Sequence, residues 1–528
     1  MKYPIGVQDF RSIVEDGYVY VDKTALIYDL VTNGKIYFLS RPRRFGKSLL
    51  VSTLKYYFEG EKELFKGLAI DSLEKDWKQY PVFHIDFNGS NFLEPNALKN
   101  VLEGIIASWE NEYGKYPYSN EIGDRFAYVL KAAHEKTGLR SVVLVDEYDK
   151  PLLDVLDTER KTVIDNNEVE LEDLNREILK GFYSVFKKAD QDLQFVLLTG
   201  VTKFSQVSVF SGFNQPYDIS MTAKYDALCG ITTEELRSVF ANEIKELAGN
   251  FDSTEEDMWQ KLKRHYDGYH FSHRMTDIYN PFSLLNAFAN MQISDYWFKS
   301  GTPTYLIRLL SHCEENLNEM VGKYYDVQDF VDYKADVEQP LPMIYQSGYL
   351  TIKGYDPDMQ QYLLDFPNDE VTKGFISLVS ANYFNSKEQP STAASEMVRA
   401  LKQGDTDKYR DLLTSFLASI PYSARRNENE REQERYFQYT VYLLMRMMSV
   451  YTIYHEKQTS QGRADFVVET PKYIYIFEYK LNRPASEAIA QINEKGYARE
   501  YANDSRKLFK IGCTFSTETG TVSDWLVE

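Results

Sequence analysis

At 528 residues the chain exceeds the size at which a single hydrophobic core stops growing, so two or three domains are expected. An apolar content of 43% and an aromatic content of 15% exclude a disordered chain, and a formal net charge of −19 excludes a surface that binds nucleic acid throughout. The first sixty residues are net basic and the last fifty-nine are balanced, so any polyanion is expected to be handled near the ends of the chain.

In chain order, apolar strand-like runs at 36–39, 82–87, 142–145 and 195–198 alternate with helical patterns at 49–58, 98–113 and 174–188. That alternation predicts a doubly wound α/β domain with a parallel sheet over residues 1–227. The first strand runs into Arg41-Pro42-Arg43-Arg44-Phe45-Gly46-Lys47-Ser48 and then into the helix that begins at Leu49. A phosphate-binding loop needs this placement, because backbone N–H groups at a helix N-terminus must converge on the anion. Residues 43–49 are therefore the candidate nucleotide contacts, with Lys47 for the β- and γ-phosphates and the Ser48 hydroxyl for Mg²⁺. The first glycine of the usual pattern is replaced by Arg41.

The run Ser141-Val142-Val143-Leu144-Val145-Asp146-Glu147 has the composition of a buried parallel strand ending in two carboxylates. In an ATPase, Asp146 acts on Mg²⁺ directly or through water and Glu147 polarises the attacking water. Taken alone, the same run also fits a core strand ending in a solvated acidic turn. Residues 154–177, acidic and weakly periodic, read as an exposed loop or insertion. The strand at 195–198 ends in Thr199, a candidate γ-phosphate sensor or a plain turn residue.

Beyond residue 228 the strand signal fades, and a mainly helical region is expected over 228–417. Residues 418–528 change character again. A helix over 427–448, strands at 450–455, 464–469 and 473–479, a helix over 485–502 and a strand at 508–515 form an α-β-β-β-α-β unit. Glu478 and Lys480 lie two apart on one strand and so share a sheet face, and a hairpin through 470–472 brings Asp465 beside Glu478. Two carboxylates and an ammonium on one face suit Mg²⁺ or Mn²⁺ and attack on a phosphodiester; the alternative is a row of solvated charges on an exposed strand.

Three cysteines (Cys229, Cys313, Cys513) without framework spacing, and an N-terminal segment 1–6 without an apolar core, predict a cytoplasmic protein. The longest apolar stretch, 439–454, is too short for a membrane span and carries Arg446, so no membrane contact is expected. Seven histidines without paired spacing predict no structural zinc.

The ordered series formed by the 41–48 loop, Tyr20-Val21-Asp22-Lys23-Thr24, Asp146-Glu147-Tyr148-Asp149, Tyr266-Asp267-Gly268-Tyr269-His270-Phe271, Tyr279-Asn280-Pro281 and Trp297-Phe298-Lys299-Ser300-Gly301-Thr302-Pro303 resembles the bacterial AAA-ATPase-like family. The C-terminal module resembles the PD-(D/E)XK nuclease superfamily. The resemblance spans nearly the whole chain. It implies that Arg41 is a family feature, and that a P-loop ATPase domain is joined through a helical middle region to a restriction-endonuclease-like α/β domain. Asp465, Glu478 and Lys480 match that superfamily's metal and catalytic positions, Gln491 matches a position near the scissile phosphate, and Glu434 is a further candidate metal carboxylate. Ala464 stands where the superfamily's proline usually precedes the first acid. The implied function is ATP-regulated, metal-dependent cleavage of DNA rather than RNA, with homo-oligomerisation open. The alternatives are a nucleotide-switched signalling or scaffold protein that binds without cutting, and a nuclease acting on RNA.

Overall fold

A computed structural model describes residues 1–164, 166–204, 216–301, 305–306, 320–331, 339–384, 390–420, 430–447, 452–459 and 462–528. The chain divides into two compact units, one of Met1–Glu315 with Glu319–Asn368 and one of Asn316–Asn318 with Asp369–Glu528.

The first unit is built on a parallel sheet of β1 (Ile36–Ser40), β2 (Val82–Asp86), β3 (Ser141–Asp146), β6 (Leu193–Gly200) and the short β7 (Tyr217–Asp218), in the order β2-β3-β6-β1-β7. The central strands β3 and β6 are sealed on both faces, which is why they read as nearly unbroken apolar runs: all six residues of β3 and seven of the eight in β6 are buried. The predicted parallel α/β architecture is therefore the observed one. Sequence order did not reveal that β6 lies between β1 and β3, which sets Thr199 between the two motifs.

The acidic stretch after β3 is not all loop. It contains a hairpin, β4 (Lys161–Ile164) with β5 (Asn167–Glu170), and the start of the helix Leu171–Tyr183. The hairpin buries no face, with Val163 and Ile164 both exposed, so it carries no period-2 apolar signal.

After residue 228 helices do dominate, including Thr233–Val239, Ala241–Asn250, Glu255–Tyr266 and Pro281–Asn290. They share a core that includes Phe240, Leu262, Leu284 and Phe288. Strands nonetheless occur here: β8 (Ile231–Thr232) pairs with β9 (Ile278–Tyr279), and β10 (Lys323–Tyr325), β11 (Thr351–Asp356) and β12 (Gln361–Asp365) form an antiparallel sheet. These strands are short or partly exposed, and the register of β11 shifts between Ile352 and Gly354, which erases the alternation that reveals a strand.

The second unit packs four helices (Asp369–Phe384, Pro390–Gln403, Thr406–Ser419, Glu430–Met447) with a five-stranded sheet in the order β13-β14-β15-β16-β17. The strands are β13 (Thr452–Thr459), β14 (Gly462–Glu469), β15 (Tyr473–Leu481), β16 (Lys507–Phe515) and β17 (Val522–Val527). Only β15 and β16 run parallel, joined by the helix Ala485–Glu494. Tyr409 contacts Phe477 (5.5 Å between centroids) and Phe437 stacks on Phe515 (4.9 Å). The helix predicted over 485–502 stops at Glu494 because Gly496, at φ +64°, turns the chain, with the Tyr497 N–H closing on the Ile492 carbonyl (3.1 Å). Edge strand β17, half exposed and with no buried residue, was not legible.

Candidate functional site

The phosphate loop. Gly46 caps the helix Lys47–Phe58 at φ +96° and Arg44 also lies at positive φ (+69°), so the loop curls before the helix starts and leaves N-terminal amides facing outward. Lys47 is buried, its Nζ donating to the carbonyls of Arg41 (3.0 Å) and Pro42 (3.3 Å) and standing 4.0 Å from the Glu147 carboxylate. Arg41, only 1% exposed, turns away from the loop's mouth. Its guanidinium donates to the carbonyls of Ser40 (2.9 Å), Ser220 (2.7 Å) and Tyr225 (3.4 Å) and lies 4.0 Å from the centre of the Phe271 ring. Burial pushes its pKa down. Phe45 is also turned inward, edge-on to Tyr269 (4.8 Å) and Phe271 (5.7 Å).

Arg43, Arg44, Gly46, Lys47, Ser48 and Leu49 all line one cleft of about 560 Å³. Glu147, Asn88, Lys150 and Asp154 come from the sheet side. The opposite wall is apolar, formed by residues 4–7 and by Pro281, Phe282 and Leu285. Asp9 pins the N-terminal segment to the loop's helix: it caps the helix Phe10–Glu15 and accepts from Tyr56 (2.8 Å) and Ser52 (3.2 Å). Asn280 caps Pro281–Asn290, Ser283 Oγ accepts the Trp297 N–H (3.1 Å), and the Trp297 indole donates to the Arg43 carbonyl (3.0 Å). The separate aromatic motifs thus converge on the loop; Thr302 and Pro303 lie outside the described residues.

Behind the cleft, Asp146 is buried and accepts a 2.6 Å hydrogen bond from Thr199 Oγ1. Glu147 takes a left-handed backbone (φ +54°) that turns its side chain to the cleft, while Asp146 and Thr199 do not line it. Asp149 is fully buried, and burial together with the Glu147 charge raises its pKa to about 7. A triphosphate fits the donor set: an amide-rich helix start and four cationic side chains face the cleft against two carboxylates.

The second site lies on β14 and β15. Their antiparallel ladder pairs Phe466 with Phe477 and is not continued to Asp465. There the Asp465 carboxylate replaces a ladder carbonyl, Oδ2 accepting the Tyr479 N–H at 2.8 Å, and comes beside Glu478. Glu478 is 2% exposed; burial, then the Asp465 charge, raises its pKa to about 7. Lys480 Nζ donates to Glu478 Oε1 (3.1 Å) and to Gln491 Oε1 (2.7 Å), and Gln491 Nε2 donates to the Tyr497 hydroxyl (3.4 Å). Gln491 reaches the sheet because its helix rides directly over Gly512, where a Cβ would lie 2.4 Å from the Ala485 carbonyl. Glu478 Oε2 is buried with no hydrogen-bond partner. An orphaned carboxylate oxygen beside a second carboxylate fits a hard divalent cation, which would relieve both. Among the described residues no three acids, histidines or cysteines cluster in a way that holds a metal. Glu434 sits on the helix Glu430–Met447, and its side chain lies outside the described residues.

Residues 4–210 match the model of the predicted AAA-ATPase family and residues 432–525 that of the PD-(D/E)XK nuclease superfamily. The chain is 34% identical, over 539 aligned positions covering 100% of itself and 99% of the relative, to an uncharacterized protein in the vnfD 5′ region of Azotobacter chroococcum mcd 1. The chain belongs to the AAA-ATPase-like family. It carries an ATPase-like domain at its N-terminus and a nuclease-like domain at its C-terminus, and no described helix is long and apolar enough to cross a membrane. Motif reading alone missed the cleft's apolar wall, Lys150, and Tyr497 beside Gln491. Residues 4–8 carry no motif chemistry, although Tyr279-Asn280-Pro281 did flag the other half of the wall.

Proposed function

We propose that this AAA-ATPase-like protein binds and hydrolyses ATP and uses the nucleotide state to regulate metal-dependent cleavage of DNA. The observation that carries the reading is the Asp465–Glu478–Lys480–Gln491 constellation, with its orphaned Glu478 oxygen. In the ATPase-like domain the triphosphate would lie at the amides of residues 46–49 with Lys47 on its terminal phosphates; Ser48 would hold Mg²⁺, and Asp146, set behind the cleft, would act on it through water. The adenine base lies against the wall made by residues 4–7 and Phe282. Thr199 orients Asp146, and Glu147 polarises the attacking water. The 4.0 Å approach of Glu147 to Lys47 gives way when phosphate takes over the lysine.

In the nuclease-like domain Asp465 and Glu478 would hold Mg²⁺ or Mn²⁺, which would supply an acidified water and charge neutralisation at the scissile phosphate. Lys480, held between Glu478 and Gln491, orients the nucleophile, and Gln491 faces the phosphate. The net charge of −19 makes contact with DNA local to this face. Purified protein with Mg²⁺ or Mn²⁺ is expected to nick or cut DNA, and Asp465→Ala to abolish cutting. Equal cutting by both proteins refutes the reading. Cutting of RNA but not DNA moves the substrate, and ATP turnover without cleavage of either favours the nucleotide-switched scaffold.

A further inference from the structure

The end of β3 is fastened to the end of β6 more firmly than two parallel strands require. The Tyr148 N–H donates to the Thr199 carbonyl (2.9 Å), the Tyr148 hydroxyl to the Thr202 carbonyl (2.7 Å), and the Phe204 N–H to the Tyr148 hydroxyl (3.2 Å). Asp149 completes the joint: Oδ2 accepts from the backbone N–H groups of Val201 (2.9 Å) and Thr202 (2.6 Å). Strand β6 ends at Gly200, so the Asp149 carboxylate supplies these two buried donors with the acceptor that a ladder would otherwise provide. The approach is close enough that a Cβ on Gly200 would lie 2.6 Å from Asp149 Oδ1 and 2.7 Å from the Tyr148 ring.

The joint brackets both hydrolytic groups. Glu147 precedes Asp149 by two residues and holds a left-handed φ of +54°, which is uphill for a side-chain-bearing residue unless its surroundings enforce it. Thr199 precedes Val201 by two residues and carries the 2.6 Å bond to Asp146. Without the Asp149 bridge, Glu147 can relax to an ordinary backbone and the Thr199–Gly200 end of β6 is left to its ladder with β1 and the Tyr148 N–H, while Lys47 keeps its bonds to the Arg41 and Pro42 carbonyls.

We propose that Asp149 is a positioning residue for ATP hydrolysis, holding the ends of β3 and β6 in one frame so that Glu147 faces Lys47 and Thr199 stays bonded to Asp146. This rests on the reading of residues 43–49, Asp146 and Glu147 as an ATP-hydrolysing site. Asp149 itself does not line the cleft.

The test measures kcat and KM for ATP hydrolysis on the full chain, with the Kd of a non-hydrolysable fluorescent ATP analogue, for wild type, Asp149→Ala and Asp149→Asn. Asp149→Ala is expected to lose about a hundredfold in kcat, the scale of a misplaced catalytic group, with analogue affinity kept within about threefold. Asp149→Asn, whose amide oxygen accepts both N–H bonds, is expected to recover to within about tenfold of wild type. Should Asp149→Ala fail to fold by circular dichroism, Asp149→Ser takes its place with the same expectations. Wild-type kcat in Asp149→Ala overturns the proposal, as does parallel loss of kcat and analogue affinity, or an Asn variant as inactive as Ala. A wild-type protein that binds the analogue but does not hydrolyse ATP overturns the hydrolytic reading itself, and the proposal with it.

Discussion

Replacing Arg41 by glycine restores the residue that phosphate loops usually carry at this position, and the structure predicts that it damages this protein. The change strands the buried carbonyls of Ser220 and Tyr225, each costing about 1–3 kcal/mol when left unsatisfied. It removes a desolvated cation 4.0 Å from the Phe271 ring, worth about 2 kcal/mol. Asp226, which is 2% exposed and whose pKa is raised by burial, also loses the nearby positive charge that partly offsets that burial. Against these stands the relief of burying a guanidinium, several kcal/mol, seen as the downward push on the Arg41 pKa. The losses come to about 4–8 kcal/mol, and setting the several kcal/mol of relief against them leaves a net loss of about 1–3 kcal/mol. Urea unfolding of the full chain without nucleotide is expected to move the first unit's transition by that amount. ATP-analogue affinity, measured well below the transition, is expected to change little, because Arg41 faces away from the cleft. Wild-type stability combined with lost analogue affinity would make Arg41 a phosphate ligand and refute the argument.

Three further outcomes follow from single positions. Gly200→Ala places a Cβ against Asp149 Oδ1 and the Tyr148 ring, so ATP turnover falls and the first unit loses about 1–3 kcal/mol; unchanged thermal melting contradicts the close packing there. The Asp267 carboxyl is pushed up to about 7 by burial and then by Asp277. The folded state therefore keeps a proton that the unfolded chain releases near pH 4, and stability falls as pH rises from about 4 to 7. Asp267→Asn removes that loss, so its advantage in Tm over wild type is larger at pH 8 than at pH 5; an advantage independent of pH contradicts the assignment. Mg²⁺ or Mn²⁺ at roughly tenfold its Kd adds about 1.4 kcal/mol to the second unit's stability in wild type and nothing in Glu478→Gln, by calorimetry; equal stabilisation of both removes Glu478 from the metal site.

Both candidate sites were legible because their chemistry is local in sequence. Gly46-Lys47-Ser48 follows an apolar run, and Glu478-x-Lys480 shares one strand face that a short hairpin aligns with Asp465. The parallel sheet was legible because its central strands, β3 and β6, are buried on both faces and so carry few polar positions to blur them. The remaining features depend on partners that side-chain type does not specify. Arg41 is held by backbone carbonyls about 180 positions away, and Asp149 by backbone N–H groups about 50 away, so neither destination leaves a trace in composition. Strands β10, β12 and β17 are half in solvent, and the hairpin β4–β5 buries nothing, so the periodicity that marks a strand was missing. The helix over Gln491 was expected about two turns too long because the Gly496 reversal was read through rather than as a stop.

The central claim, that nucleotide state regulates cleavage, is tested most directly by Mg²⁺-dependent DNA cleavage assayed with and without ATP for wild type, Lys47→Ala and Asp465→Ala. The account predicts that wild-type cleavage changes on adding ATP, that Lys47→Ala cuts at one rate whether or not ATP is present, and that Asp465→Ala does not cut. An ATP response in Lys47→Ala equal to that of wild type, or a wild-type rate indifferent to ATP, contradicts it.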